Sequence, residues 1–295
     1  MSRPLRTAVI PAGGLGTRFL PFSRTVPKEL LPLVDTPVID FVVSECAAAG
    51  IERVILVGAP GKQALLDYFR PSERIAARLE REGRQTELER SRRPEGLAEV
   101  VWVVQEEPRG NGHAVLVARE AVGDEPFAML WGDDVLRAEQ PAVAQLERVR
   151  QARGGSVAGA MRVPRDQAGR YGMFAGTAVD ERTMRVRSVV EKPSPADVPS
   201  DFASVHGYVL DPAIFDVLAA CPPGRGGEIW LADAVSALAT SSPVWALELE
   251  GTRYDAGDRS GYVAAFVDEA LARPDTGPAL RDHLRRAGWR EPGGR

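Results

Sequence analysis

The chain has 295 residues, 44% hydrophobic and 26% charged, with a net charge of −4. That composition builds a substantial core, and its interspersed charges exclude a broad basic face for nucleic acid. No apolar run approaches the ~20 residues that cross a bilayer, and after the basic residues 1–6 the apolar stretch is too short for a signal-peptide core. A soluble cytoplasmic protein is therefore expected, with no membrane and no nucleic-acid partner. The two cysteines, Cys46 and Cys221, lack metal-ligand spacing and are expected as buried thiols.

Residues 7–10 read as a first strand, and the glycine-rich Pro11-Ala12-Gly13-Gly14-Leu15-Gly16-Thr17-Arg18 follows it directly. Glycines there permit close backbone approach, and several N–H groups can converge on phosphate oxygens. No Gly-Lys-Ser/Thr closes the loop and its spacing misses the dinucleotide fingerprint, so neither a P-loop nor a dinucleotide-binding turn is indicated. Taken alone, the segment is equally a tight strand-to-helix turn. Arg18 and Lys28 add two cations, Pro21 and Pro27 stiffen the stretch between them, and together these features predict a triphosphate clamp.

Beyond it, helices near 38–49, 62–69 and 113–122 alternate with strands at 53–57, 100–104 and 127–130, which predicts a mostly parallel, helix-covered sheet. Residues 71–94 are rich in Glu and Arg and are expected as an exposed helix. After Leu136 come a helix near 142–152 and strands at 156–163, 172–175, 184–190 and 202–210. A loop at 222–227, a helix over 228–239 and a strand at 244–249 follow, and the Arg-, Pro- and Gly-rich ending from Arg273 is expected to fray.

Pro11–Arg18 and the later Pro27-Lys28-Glu29-Leu30-Leu31-Pro32-Leu33 resemble the paired signature of sugar nucleotidylyltransferases, specifically bacterial UTP:glucose-1-phosphate uridylyltransferases. Further matches follow in order over nearly the whole chain. They are Gln105, Gly110-Asn111-Gly112-His113-Ala114-Val115, Gly132-Asp133-Asp134, Tyr171-Gly172, Glu191-Lys192-Pro193, Gly227-Glu228-Ile229 and Tyr254-Asp255-Ala256-Gly257. The resemblance implies an α/β fold, a Rossmann-like three-layer sandwich with a mixed, mostly parallel central sheet of the glycosyltransferase-A-like kind. One domain would cover 1–272, its nucleotide half about 1–136 and its sugar-phosphate half about 137–272, followed by a tail over 273–295.

It also implies roles. Ala12, Gly13, Gly14, Gly16, Thr17, Gln105, Gly110 and Gly132 would bind the nucleotide, with Gln105 reading the base edge. Arg18 and Lys28 would hold the triphosphate, and Lys192 the sugar phosphate. Tyr171, Gly172, Glu191, Val205 and Glu228 would meet the sugar. Asp133 follows an apolar strand, so its carboxylate is expected at a strand's C-terminal edge, where open α/β sheets bind ligands. The resemblance pairs it with Asp255 around Mg2+, a hard cation that suits carboxylates and phosphate oxygens. Asp134, Asp233 and Asp258 are expected only to cap turns or helices, and His113 to serve structure rather than as a base.

The implied reaction moves a nucleotidyl group from UTP to a sugar 1-phosphate such as glucose 1-phosphate, releasing pyrophosphate; relatives commonly form dimers or tetramers. Two departures fall near the expected sugar pocket, His206 where the family usually has glycine and Trp230 where it has glutamine. The open alternatives are dTTP, another sugar or cyclitol phosphate, and a catalytically silent nucleotide-sugar sensor.

Overall fold

The computed structural model describes residues 3–289; two residues of the basic start and residues 290–295 of the expected tail lie outside these. In β1 (Thr7–Pro11), Ala8 and Ile10 enter one apolar cluster and Val9 another, so the strand is covered on both faces. The glycine-rich segment then folds as three short 3-10 turns and ends in a small antiparallel pair, β2 (Pro32–Leu33) and β3 (Thr36–Pro37). α1 (Val38–Ala48), β4 (Arg53–Gly58) and the single turn α2 (Ala64–Asp67) follow. The charged stretch forms two helices, α3 (Glu73–Arg81) and α4 (Gln85–Arg92), laced by pairs such as Arg78–Glu82 and Arg92–Glu80. As their composition predicts, both stay exposed, with Leu88 alone buried.

β5 (Glu99–Val104) leads into α5 (Asn111–Leu116) and α6 (Arg119–Val122), which divide the single helix expected there. β6 (Phe127–Leu130), β7 (Asp134–Arg137), α7 (Ala142–Arg153), β8 (Ser156–Arg162), β9 (Gly172–Ala178), β10 (Thr183–Glu191) and β11 (Phe202–Leu210) come next. α8 (Ala213–Ala220), α9 (Leu231–Leu238), β12 (Val244–Glu248), β13 (Thr252–Asp255), α10 (Arg259–Ala272) and α11 (Gly277–Arg286) complete the chain.

One sheet of nine strands runs through the molecule in the order β5-β4-β1-β6-β11-β8-β12-β10-β9. Its first four strands are parallel, the arrangement the alternating helices predict. At the centre β11 reverses direction, antiparallel to β6 with Tyr208 opposite Met129, and again antiparallel to β8. β12 is parallel to β8, and β10 antiparallel to both β12 and β9, so the parallel character belongs to the first half. α1, α2 and α7 contribute Ile39, Leu65 and Val143 to one face, while α5, α8 and α9 contribute Val115, Phe215 and Leu231 to the other. Phe127 and Phe215 stack at 5.0 Å in that second layer, and truncating either costs about 3–5 kcal/mol.

Two expectations are corrected. The ending does not simply fray, because α11 begins with Gly277-Pro278 and Arg273 ahead of it binds Asp35 and Asp275. Proline at the start of a helix removes no intrahelical bond, so a proline-bearing sequence can still be helical. Cys46 is fully buried, as expected, but Cys221 is only half-buried at the end of α8. Among the described residues, no helix is long and apolar enough to cross a membrane.

Candidate active site

The site opens where the parallel strands end. β1 delivers the glycine-rich segment, β5 delivers Gln105, and β6 delivers Trp131, Gly132 and Asp133. Two adjoining hollows of about 290 and 310 Å3 lie across these ends and share Asn111, Trp131 and Asp133 as common walls. Gly13, Gly14, Lys28, Gln105 and Gly110 line the first. Arg18, Tyr171, Gly172, Glu191, Lys192 and Asp255 line the second. The two hollows thus meet at Asp133, with Arg18, expected beside Lys28 on the triphosphate, lining the second instead of the first.

What brings Asp255 to Asp133 is the antiparallel ribbon of β7 and β13, which sets Asp255 opposite Asp134. A side-chain carbon built on Gly257 would lie 2.1 Å from Asp133 Oδ2 and 3.2 Å from Asp255 Oδ1. Only glycine leaves the space between the two carboxylates open. Lys28 Nζ donates to Asp133 Oδ2. Burial alone would lower the Lys28 pKa, but Asp133 and Glu29 outweigh it and raise the value, so this cation keeps its charge. Asp255 is pushed up by burial, against the pull of Arg253 and with Asp133 and Asp134 adding to the crowding. Among the described residues no group of three or more His, Cys, Asp or Glu could cage a metal. Two carboxylates completed by substrate phosphates are instead the arrangement suited to Mg2+, so the donor set fits that ion.

Beneath the glycine segment lies Lys62, which the sequence reading did not single out. Its Nζ donates to Ala12 O (2.8 Å), Gly14 O (2.6 Å) and the buried Glu29 (3.2 Å). Burial lowers the Lys62 pKa and raises that of Glu29, with each partner's charge opposing the shift. Gly16 takes φ 63°, and a side-chain carbon there would press within 3.2 Å of Lys28 and Ser23.

Some expected residues stand apart. Ala12, Gly132 and Val205 are buried below the walls, Val205 among Val163, Met173 and Ala203, and none of the three lines either hollow. Thr17 is exposed at the head of a 3-10 turn, and Glu228 lines the first hollow rather than the second. Asp258 caps α10 as expected, accepting from Ser260 N and Gly261 N. Asp134 does more than cap a turn. It is 2% exposed and accepts from Arg253, whose guanidinium lies over Tyr171 at 5.8 Å and lines the second hollow.

The two departures resolve in opposite ways. His206 points away from the cleft and is 1% exposed, its Nε2 2.9 Å from Glu45 and its backbone N–H bonded to Asp134. Its φ of 64° is the conformation glycine favours. Burial would lower the His206 pKa, but Glu45 and Asp134 outweigh that and raise it to about 10. Trp230 is half-buried, its ring 5.9 Å from Lys192 Nζ, and with Glu191 and Glu228 it lines a third hollow.

A family model described as nucleotidyl transferase matches residues 7–270. A UTP–glucose-1-phosphate uridylyltransferase of Staphylococcus haemolyticus is 38% identical over 287 residues, covering 97% of this chain and 100% of the relative. A UTP-bound UGPase from Acinetobacter baumannii superposes with a TM-score of 0.89 at 30% identity, over 96% of this chain and 99% of that one. A UDP-glucose pyrophosphorylase complexed with UDP-glucose superposes with a TM-score of 0.83 at 32% identity, over 92% and 100%.

Proposed function

The chain belongs to the nucleotidyl transferase family, and on that premise we propose that it joins UTP to glucose 1-phosphate, releasing pyrophosphate and forming UDP-glucose. The observation that carries this reading is the shared wall. The nucleotide hollow and the sugar hollow meet at Asp133, where Lys28 already sits. Relatives named for this reaction, and solved structures holding UTP or UDP-glucose, support the choice of substrates.

A phosphate oxygen of glucose 1-phosphate attacks the α-phosphorus of UTP, a new P–O bond forms, and the bond to the bridging oxygen breaks to free pyrophosphate. The attacking phosphate is already anionic at neutral pH, so no general base is required, and the protein's task is to align two anions that repel. Gly13 and Gly14 let the nucleotide approach the backbone, and Gln105 reads the base. Lys28 offsets the triphosphate charge from the nucleotide hollow, Arg18 adds a cation from the second hollow beside Asp133, and Lys192 holds the sugar phosphate. Glu191 accepts from a sugar hydroxyl, beside the Tyr171-Gly172 backbone, while Glu228 stands on the wall of the nucleotide hollow. Asp133 and Asp255 would hold a divalent cation, in our reading Mg2+, which when bound offsets charge on the phosphate oxygens.

The test is a pyrophosphate-release assay crossing UTP, dTTP, CTP, ATP and GTP with several sugar 1-phosphates. The fastest release is expected with UTP and glucose 1-phosphate. Nucleotide binding without release under any pairing would leave only a silent sensor.

A further inference from the structure

Gln105 is 7% exposed at the wall of the nucleotide hollow. Its Nε2 lies 3.0 Å from Gly110 O and 3.0 Å from His113 Nδ1. A backbone carbonyl can only accept, so the amide's NH2 end must face Gly110. With one N–H used there, the second meets His113 Nδ1, which accepts it when the ring carries its proton on Nε2. Burial and the nearby Arg109 hold the His113 pKa below its ordinary value, so the ring is neutral around pH 7. The Oε1 end faces Gly13 instead: a side-chain carbon built on Gly13 would come within 3.2 Å of it. No group among the described residues donates to Oε1. Both donors of the amide are therefore taken by the protein, and only an acceptor is left for a ligand.

We propose that His113 is a specificity-determining positioning residue, which with Gly110 O locks the Gln105 amide so that it presents Oε1 alone to the base. A pyrimidine whose ring nitrogen carries a proton, as in uracil or thymine, donates to that acceptor. Cytosine places a lone pair at the same ring position and meets Oε1 as acceptor against acceptor. Turning the amide over to suit cytosine would set Oε1 against Gly110 O and forfeit both bonds. The selection against CTP is thus built by a side chain that touches no substrate. The proposal rests on the reading that Gln105 meets the base.

The experiment measures kcat/KM for UTP and CTP, with glucose 1-phosphate and Mg2+, in the wild type, His113→Phe, His113→Asn and Gln105→Ala. Phenylalanine keeps the ring volume and removes the acceptor; asparagine returns a carbonyl acceptor. In His113→Phe the UTP:CTP preference should fall about five- to tenfold, the equivalent of one hydrogen bond, with the loss for UTP in KM rather than kcat. His113→Asn should recover part of the preference. A folded His113→Phe that keeps the wild-type preference, or loses UTP and CTP turnover in equal measure, overturns the proposal. Should His113→Phe fail to fold, His113→Ala carries the same comparison. An unchanged preference in Gln105→Ala overturns instead the base-reading role of Gln105, a separate failure.

Discussion

Asp133 and Asp134, adjacent carboxylates on one turn, bind different partners, Lys28 and Arg253. Asp133 and Asp134 look alike in the string Gly132-Asp133-Asp134, yet Asp133 faces the cleft while Asp134 is buried with Arg253 and His206. Position at a strand end pointed to Asp133; the partners of Asp134 arrive from residues about 70 and 120 positions away and carry no local signal. Asp133→Asn should lower turnover about 100-fold at fixed Mg2+, and Lys192→Ala should raise KM for glucose 1-phosphate about tenfold with little change in KM for UTP. Steady-state kinetics on both variants check this. For His206 the sign is that of a base favoured in its protonated form: its value rises from 6.5 to about 10 on folding. Its stabilisation is complete below pH 6.5 and is lost as pH rises through about 10. His206→Gly relieves the positive φ but leaves Glu45 unpaired, for a net cost of about 2–4 kcal/mol near pH 7. Adding Glu45→Gln should recover most of that cost and flatten the fall in thermal midpoint between pH 7 and pH 10. A midpoint in the double variant that falls as steeply as in the wild type would refute the assignment.

Short pieces decide how the two hollows sit together. Ile229 N donates to Arg109 O, Gly112 N to Ile229 O, and Leu231 N to Asn111 Oδ1. These bonds stitch the segment at the start of α5 to the one before α9, so two loops that border the cleft are tied together. Gly112 permits the approach, since a side-chain carbon there would lie 2.8 Å from Ile229 O. Gly112→Ala should therefore raise KM for both UTP and glucose 1-phosphate by about fivefold or more, although Gly112 lines neither hollow. A change confined to one substrate would show that the loops are independent. The long apolar strands were readable because alternate residues serve opposite faces of a covered sheet. The β7–β13 ribbon was not. Each of its strands has four residues of mixed polarity, and only their pairing, 121 residues apart at Asp134 and Asp255, brings the two expected metal ligands together. For this span the sequence offers the matched Asp-bearing motifs but no register.

At the scale of the whole molecule, the alternation of helices and strands gave the layered architecture, while the reversal at β11 had no signature in hydrophobic pattern, because parallel and antiparallel buried strands read alike. That reversal has a mechanical consequence. β6 and β11 bind along four residue pairs, Leu130 with Gly207 through Phe127 with Leu210, so the parallel half and the mixed half are rows of one continuous sheet. A hinge between them would have to break backbone hydrogen bonds whose donors and acceptors are buried, each left unpaired at a cost of about 1–3 kcal/mol. The enzyme cannot work as a clamshell. Adjustment to substrate must come from the rim, in the glycine-rich segment and the turns around Lys192 and Glu228, and the radius of gyration in solution scattering should stay the same when UTP is added.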